Sequence, residues 1–540
     1  MPKLSIDNHF VTVPEGATLL DAAAAAGIEI PTMCFRPGKP HFTSCMVCVV
    51  KDRTSGRMLP ACSARAAEGM LIDCNSDAVK AARRAALELL LSDHIGDCEG
   101  PCHRVCPAHM NIPLMIRQIG AGDFDDALVT VKRDISLPAV LGRICPAPCE
   151  AGCRRKQIDQ PVSICLLKRF VADVDLATDT PYRPPCAPET GKQVAIIGAG
   201  PTGLAAAYYL RTRGHACVLF DAHAEPGGAL RTAVPAAMLP REVLDAEVAL
   251  VLALGAAFRG NTRVGHDIAF DTLRETFDAV IVATGPIDAE TAAGWGLPYA
   301  KRGLVADTTT YATPLAGVFT GGSAVTPTKL AVRAVGDGKD MVVAIDEHLR
   351  GVTVRGAVKS FNSVIGKLVE TEHEVVLREG STAARVTPKD GDAHAGFTAE
   401  EATRETLRCL HCDCRKPVSC RLRRYAEAYG AQQKRFKPAV RSVFEQVRTH
   451  PALFFEQRKC VSCGICVQIT RECNEPLGLS FINRGMETRI GVPFNEPLER
   501  GLTISAEACV RGCPTGALSF HEGEDRDLSH PDAASATESP

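Results

Sequence analysis

Residues 3–13 alternate apolar and polar positions (Leu4, Ile6, Phe10, Val11, Val13), the period of a half-buried hairpin. Leu19–Ala26 then has helical spacing and stops at Gly27, a residue that commonly ends helices. Farther along, the short apolar run Gln193–Ile197 enters a glycine-rich turn and a helical stretch, Leu204–Arg213. After Gly214 the runs Ala216–Phe220 and Asp278–Val282 read as further strands. The region from about 190 to 350 is therefore predicted to alternate strands and helices. Glu400–Leu407 also has helical spacing. The best apolar candidate for a bilayer, Val243–Phe258, contains Asp245 and Glu247 and is too short to span one.

Composition adds one decisive feature. The 540 residues suggest several domains, and 46% apolar with 23% charged residues is ordinary for a folded chain. A net charge of −2 points to no nucleic-acid or anionic-membrane partner. The 24 cysteines are what is unusual. Disulfide-dense chains are small and secreted, whereas this one is large, and Met1–Ser5 lacks the basic and apolar regions of a signal peptide. The expectation is reduced, largely metal-bound thiols in a cytoplasmic protein. They fall in four bursts, at 34–62, 98–165, 409–420 and 460–513. Linkers are predicted at Pro181–Pro188 and Pro388–Gly396, and a disordered acidic tail from Glu522. The predicted domains are 1–92, 93–185, 190–352, 353–450 and 451–521, with the tail at 522–540.

In the first burst, Cys34, Cys45, Cys48 and Cys62 are separated by ten, two and thirteen residues. A loop with three thiolates and a later fourth suits a [2Fe–2S] centre. Zinc, the alternative, usually takes two short Cys knuckles, and only one is present. In the second burst Cys98, Cys102 and Cys106 recur every four residues, as do Cys145, Cys149 and Cys153. Two triplets suit two [4Fe–4S] centres, each short of one ligand. Cys409, Cys412, Cys414 and Cys420 suit a third such cluster or a closed zinc site. Cys460, Cys463 and Cys466, with Cys513 before Pro514, follow the bacterial-ferredoxin rule for a fourth. Cys74, Cys186, Cys217, Cys473 and Cys509 are left over.

Gly198-Ala-Gly200-Pro201-Thr202-Gly203 lies between a predicted strand and helix, and Asp221 ends the next strand. This context makes the motif a dinucleotide site. The glycines allow the turn and the close approach of the pyrophosphate, the helix N-terminus faces the phosphates, and Asp221 accepts from a ribose hydroxyl.

Residues 1–98, with IPTMC and LPAC around the first burst, resemble the N-terminal domain of the large iron–sulfur subunit of complex I and related hydrogenases. The stretch CEGPCHRVCP, GRICPAPCEAGC and PVSICLLKRF resembles the iron–sulfur domain of the glutamate synthase small subunit and of dihydropyrimidine dehydrogenase. That resemblance implies interleaved triplets, with Cys98, Cys102 and Cys153 on one cluster and Cys106, Cys145 and Cys149 on the other. The family's remaining ligands would fall at Ile95 and near Lys168, which cannot bind iron. His94, used in complex I-type subunits, and Cys165 are the proposed substitutes. The alternatives are a solvated helix-end histidine and a small buried cysteine.

Glu225-Pro-Gly227-Gly228 (followed by Arg231), Ala283-Thr284-Gly285 and Gly317-Val-Phe-Thr-Gly321-Gly322 resemble the same family's flavin domain, which implies FAD. Ser323 stands where that family carries an aspartate. Only Pro286–Arg302 lies where the family inserts its nicotinamide domain, too little for a βαβ unit. The resemblances together imply a multidomain α/β plus α+β chain. Its parts would be a β-grasp domain, a helical double-cluster domain, a Rossmann-type FAD domain lacking the NAD(P) insertion, and a ferredoxin-like region. The implied cofactors are FAD, one [2Fe–2S] and four [4Fe–4S] clusters. The implied role is an electron-transfer subunit whose partners are of the hydrogenase, formate dehydrogenase or 2-oxoacid oxidoreductase type. A self-sufficient NAD(P)H oxidoreductase and a non-redox scaffold remain the alternatives.

Overall fold

The structure, a computed structural model, describes residues 1–378, 380–388, 395–436, 438 and 441–521. The predicted tail and residues 389–394 of the second linker lie outside the described residues. Contacts divide the chain into two units, one of residues 1–99, 360–376 and 412 onward, the other of residues 100–359 and 377–411.

In the first unit the predicted hairpin forms. Lys3–Ile6 runs antiparallel to His9–Thr12, with Leu4 opposite Val11. Lys3–Ile6 also pairs in parallel with Leu71–Asp73, which continues through Val49–Asp52 to Met58–Pro60. This five-stranded sheet packs Leu4, Ile6 and Ile72 against Leu19, Ala22 and Ala23 of the helix Leu19–Ala25. The helix starts in a reciprocal cap. Thr18 Oγ1 accepts from the Asp21 N–H at 3.2 Å, and the Asp21 carboxylate accepts from the Thr18 N–H at 2.8 Å. Past residue 450, Leu453–Phe455 pairs with Leu518–Phe520, and the helices Ile465–Glu472 and Ala506–Gly512 pack together. One apolar core runs from Met33, Cys34 and Cys45 to Ile465, Ile469 and Leu518.

The second unit opens with helices at Pro101–Val105, Ile112–Ala121, Phe124–Asp134, Pro138–Ile144, Pro148–Ala151 and Ile164–Leu176. Three of them begin on proline, whose missing N–H would have no helical partner there. Lys132 and Asp175, both buried, tie two of these helices together at 2.6 Å. Next comes a parallel sheet in the order Val318–Thr320, Ala279–Val282, Gln193–Ile197, Ala216–Phe220, Ala257–Arg259. Val243–Phe258 resolves into the helix Arg241–Leu252 and the last of these strands. Among the described residues no helix is long and apolar enough to cross a membrane. The helix Ala331–Leu349 lies along Pro201–Thr212, close enough that a Cβ on Gly338 would come within 2.5 Å of the Thr202 carbonyl.

Candidate cluster and dinucleotide sites

The first four cysteines come from loops at the edge of the N-terminal sheet. Their side chains already touch, because the Cys34 sulfur accepts from the thiols of Cys45 and Cys62, and Cys48 pairs with Cys62. Those bonds push the Cys34 pKa down to about 2, while Cys45 and Cys62 are pushed up by donating and by burial. Met46, between Cys45 and Cys48, has φ +55°. His411 in Cys409–Cys412 (+43°) and Ser462 in Cys460–Cys463 (+48°) occupy the same left-handed region. Non-glycine residues rarely adopt it. All three knuckles therefore bend in the same way.

Cys460, Cys463, Cys466 and Cys513 line one pocket with Phe455, Ile490 and Leu518. The Ser462 N–H points at the Cys460 sulfur at 3.4 Å, while burial pushes the Cys460 thiol up to about 12. The Cys463 thiol is raised by burial, then by its neighbours, Cys34 among them. The first and last predicted sites thus adjoin within one unit. Phe42, from the loop before Cys45, packs edge-on against Phe481 with ring centroids 5.2 Å apart.

In the second unit, Cys106, Cys145, Cys149 and Cys165 surround the buried Lys168. Burial opposes the lysine's charge, yet the four sulfurs hold its pKa above the ordinary value. Cys165 shares a hydrogen bond with Cys145, and its sulfur also lies 3.6 Å from the Leu141 carbonyl. The segments bearing Cys102 and Cys153 pack together, with Val105 seated where a Cβ on Gly152 would be. Cys98 belongs to the first unit, whereas Cys102 and Cys153 belong to the second. The third burst divides likewise, with Cys409 in the second unit and Cys412, Cys414 and Cys420 in the first.

Cys98 has non-local partners. The Ser363 N–H donates to its sulfur at 3.4 Å, and Asn362 Oδ1 accepts from the N–H groups of Cys98 and Glu99 at 3.1 and 3.0 Å. His94 is buried, its Nδ1 has no hydrogen-bond partner among the described residues, and burial with the nearby Lys459 pushes its pKa down to about 3. Of the leftover cysteines, Cys217 and Cys509 turn their thiols toward carbonyl oxygens at 3.9 and 3.8 Å, as Cys165 also does. Among the described residues no three His, Cys, Asp or Glu side chains are arranged to hold a metal ion.

The dinucleotide motif folds as predicted. Gly198, at φ +105°, leads from the strand Gln193–Ile197 into the helix Pro201–Thr212, whose N-terminus lies at Gly200. A side chain on Gly203 would run into the Gly198 carbonyl, so the helix and the turn meet only through glycine. Asp221 accepts from the Ala199 N–H at 2.8 Å and the His223 N–H at 2.9 Å, which fixes its carboxylate beside the turn. Gly228, at φ +51°, approaches Gly200, so a Cβ there would lie 2.7 Å from the Gly200 Cα. His223, Glu225, Gly228, Arg231 and Thr232 line an open cleft, and Arg231 pairs with Glu225 at 3.2 Å and also with Asp245. Thr284 and Gly285 follow the strand next to Gln193–Ile197, and a Cβ on Gly198 would lie 3.0 Å from the Thr284 Cα.

Gly322 and Ser323 sit in a short 3-10 turn, where the Ser323 hydroxyl bonds to Thr328 at 3.4 Å. Sequence reasoning missed Asp337, whose carboxylate accepts from the Gly322 N–H at 3.1 Å and from Tyr311 at 3.3 Å. A carboxylate therefore does reach this turn, fourteen residues after the serine; the signal available was the Gly336-Asp-Gly338 sequence, which allows close helix contact. Lys168, Lys459 and Ser363 were missed in the same way as partners of sulfur.

Comparisons with known proteins fall on the same stretches of the chain. The profile of the 2Fe-2S iron-sulfur cluster binding domain covers residues 2–77, and that of dihydropyrimidine dehydrogenase domain II, 4Fe-4S cluster, covers 77–180. The NAD(P)-binding Rossmann-like profile covers 196–257. The chain carries iron–sulfur and dinucleotide-binding modules. The resemblance drawn from the cysteine patterns is thereby borne out. Relatives include the NADP(+)-dependent formate dehydrogenase subunit beta of Moorella thermoacetica, 41% identical over 206 residues, 34% of this chain and 29% of that one. The NADPH-Fe(3+) oxidoreductase subunit beta of Geobacter sulfurreducens is 40% identical over 189 residues, 34% of this chain and 28% of that one. The NAD-dependent dihydropyrimidine dehydrogenase subunit PreT of Escherichia coli is 37% identical over 202 residues, 37% of this chain and 48% of that one. The chain thus spans less than half the length of these relatives. A solved NAD+-reducing [NiFe]-hydrogenase aligns over 97% of this chain and 89% of its own at 12% identity, with a TM-score of 0.34 that carries no argument.

Proposed function

We propose that the chain is an Fe–S/FAD electron-transfer subunit of a multi-subunit oxidoreductase, with one [2Fe–2S] and four [4Fe–4S] clusters. The observation that carries this reading is the shared core of the first and last cysteine sets, in which Cys463 lies close enough to Cys34 to respond to its charge. Two cysteine sites packed against each other suit the passage of electrons between bound clusters. Bound clusters and flavin would supply one-electron and pairwise electron carriage. The residues do the rest. Apolar packing keeps water from the thiolates, N–H groups donate to sulfur, and Lys168 offsets the charge of its four neighbours.

The finer assignments belong to this proposal. They are a β-grasp-type domain holding Cys34, Cys45, Cys48 and Cys62, a helical domain for the second burst, and a ferredoxin-like region for Cys460, Cys463, Cys466 and Cys513. FAD is supported by the flavin-domain resemblance of Glu225–Gly228, Ala283–Gly285 and Gly317–Gly322, and the segment between Gly285 and Gly303, which forms the helix Ala289–Gly294 and the strand Tyr299–Ala300, is too short for a separate nicotinamide domain. Partners of the formate dehydrogenase type are favoured by the beta-subunit relatives, with the hydrogenase and 2-oxoacid oxidoreductase types resting on the sequence resemblance. The Rossmann-like match is described as NAD(P)-binding, which favours one second reading, a self-sufficient NAD(P)H oxidoreductase.

Anaerobic purification of the full chain, with iron and flavin analysis and EPR during reductive titration, tests both readings. The expected result is bound FAD, five reducible clusters and no rapid flavin bleaching by NADH or NADPH. A colourless protein overturns the proposal, and fast bleaching by the chain alone selects the second reading.

A further inference from the structure

We propose that Cys98, Cys414 and Cys420, with His94, hold one four-iron cluster inside the first unit. This inference rests on the cluster reading above. It parts Cys98 from Cys102 and Cys153, with which the family resemblance groups it, and divides the run Cys409–Cys420 between two sites.

The geometry begins with the backbone. The Cys414 N–H donates to the Cys98 carbonyl at 3.2 Å, so two cysteines 316 positions apart are joined through main chain. Each of the three sulfurs then receives a backbone N–H. Ser363 donates to Cys98 at 3.4 Å, Lys416 to Cys414 at 3.5 Å and Arg423 to Cys420 at 3.5 Å. An N–H aimed at the sulfur is the kind of donor that an iron-bound cysteine accepts.

All three cysteines are buried, and Cys414 and Cys420 each lie near enough to Cys98 to respond to its charge. Gly516 brings its backbone against the Cys414 sulfur, where any side chain would intrude.

His94 supplies the fourth donor. It lies four residues before Cys98 and is 8% exposed, and its Nδ1 has no hydrogen-bond partner among the described residues. A buried ring nitrogen without a partner is costly unless something else binds it. Lys459 links the two halves of the site, since its stem packs against Gly96 and its charge is felt by both His94 and Cys414.

The second unit keeps a complementary set. Cys102, Cys153 and Cys409 all fall there, which leaves Cys409 on a different side of the division from Cys414 and Cys420.

The test uses the full chain, purified without oxygen, with iron analysis and EPR. Cys98→Ser, Cys414→Ser and Cys420→Ser are each expected to lose the same four-iron signal, and Cys98→Ser combined with Cys414→Ser to lose no more iron than either alone. Cys153→Ser is expected to lose a different signal. Retention of the two-iron signal in each variant shows that the first unit has folded. Pulsed EPR of the unmodified chain carrying 15N-histidine should show a nitrogen coupling on the shared signal, and His94→Cys should keep the cluster and lose the coupling. Loss of one common signal in Cys98→Ser and Cys153→Ser, with a different one lost in Cys414→Ser, overturns the grouping. Absence of the nitrogen coupling overturns the part assigned to His94. A chain without any cluster fails the proposed function itself, an outcome distinct from clusters present but grouped otherwise.

Discussion

The Cys34 set and the Cys106 set solve one problem in two ways. In the first, four cysteines within 29 consecutive residues fold into loops at a sheet edge, and their thiols bond to one another. In the second, Cys106, Cys145, Cys149 and Cys165 come from helices and turns spread over 60 positions and gather around the buried ammonium of Lys168. Buried thiolates repel each other and lose solvation. The compact set answers with hydrogen bonds inside one loop system, and the dispersed set with a counter-charge on a helix. A site of the second kind depends on its helices holding position.

The largest expected effect comes from the pair that clamps those helices. Lys132→Met leaves the buried Asp175 carboxyl without its ion-pair partner, a change worth about 3–5 kcal/mol. Thermal or urea unfolding should show the second unit weakened by that amount, with the two-iron EPR signal of the Cys34 set retained at moderate temperature. Equal loss from both units would break the comparison.

Next is the counter-charge. Lys168→Met should lower the reduction potential of the cluster held by the Cys106 set, because a positive charge that favours the added electron is gone. An EPR-monitored redox titration should show the Cys34-set midpoint unmoved. If both midpoints move together, or neither does, Lys168 is not the distinguishing element.

A smaller effect concerns pH. Burial pushes the Glu247 pKa up to about 7 from an ordinary 4.5, although its carboxylate accepts from the Ala139 and Val140 N–H groups at 2.8 Å each. Between these values the folded chain keeps a proton that the unfolded chain has released. The stabilisation is therefore complete below about pH 4.5 and declines until about pH 7. Denaturation across that range should show the decline in the second unit only, and Glu247→Gln should flatten it, with about 1 kcal/mol lost for the weakened cap.

The smallest effect is expected at Asp337. Asp337→Asn keeps the side chain's shape and removes the charge beside Gly322. Flavin retention during dialysis should fall only a few-fold, equivalent to about 1 kcal/mol. No cluster signal should change.

Much of the fold was legible in the sequence where signals are local. The hairpin Lys3–Ile6 with His9–Thr12 and the strands Gln193–Ile197 and Ala216–Phe220 follow from apolar runs whose period reports which face is buried. The helix at 400–407 moved by one residue, to Ala399–Thr406, because Thr398 and Glu401 form a reciprocal cap that sets its start. The contact of Cys98 with Ser363 had no such signal, since it bridges 265 positions and lies in a segment without periodicity.

The sequence by itself determined the knuckles Cys45–Cys48 and Cys460–Cys463 and the turn Gly198–Gly203, because a few bonds of chain confine those atoms to one another's reach. It also determined that Ser323 has no carboxylate of its own. Only the tertiary structure decided that Asp337 approaches that turn, that Lys168 sits among four sulfurs and that Cys414 meets Cys98. Those pairings arise from packing between elements far apart in the chain, and no spacing rule carries information across a loop whose path is set by what it is packed against.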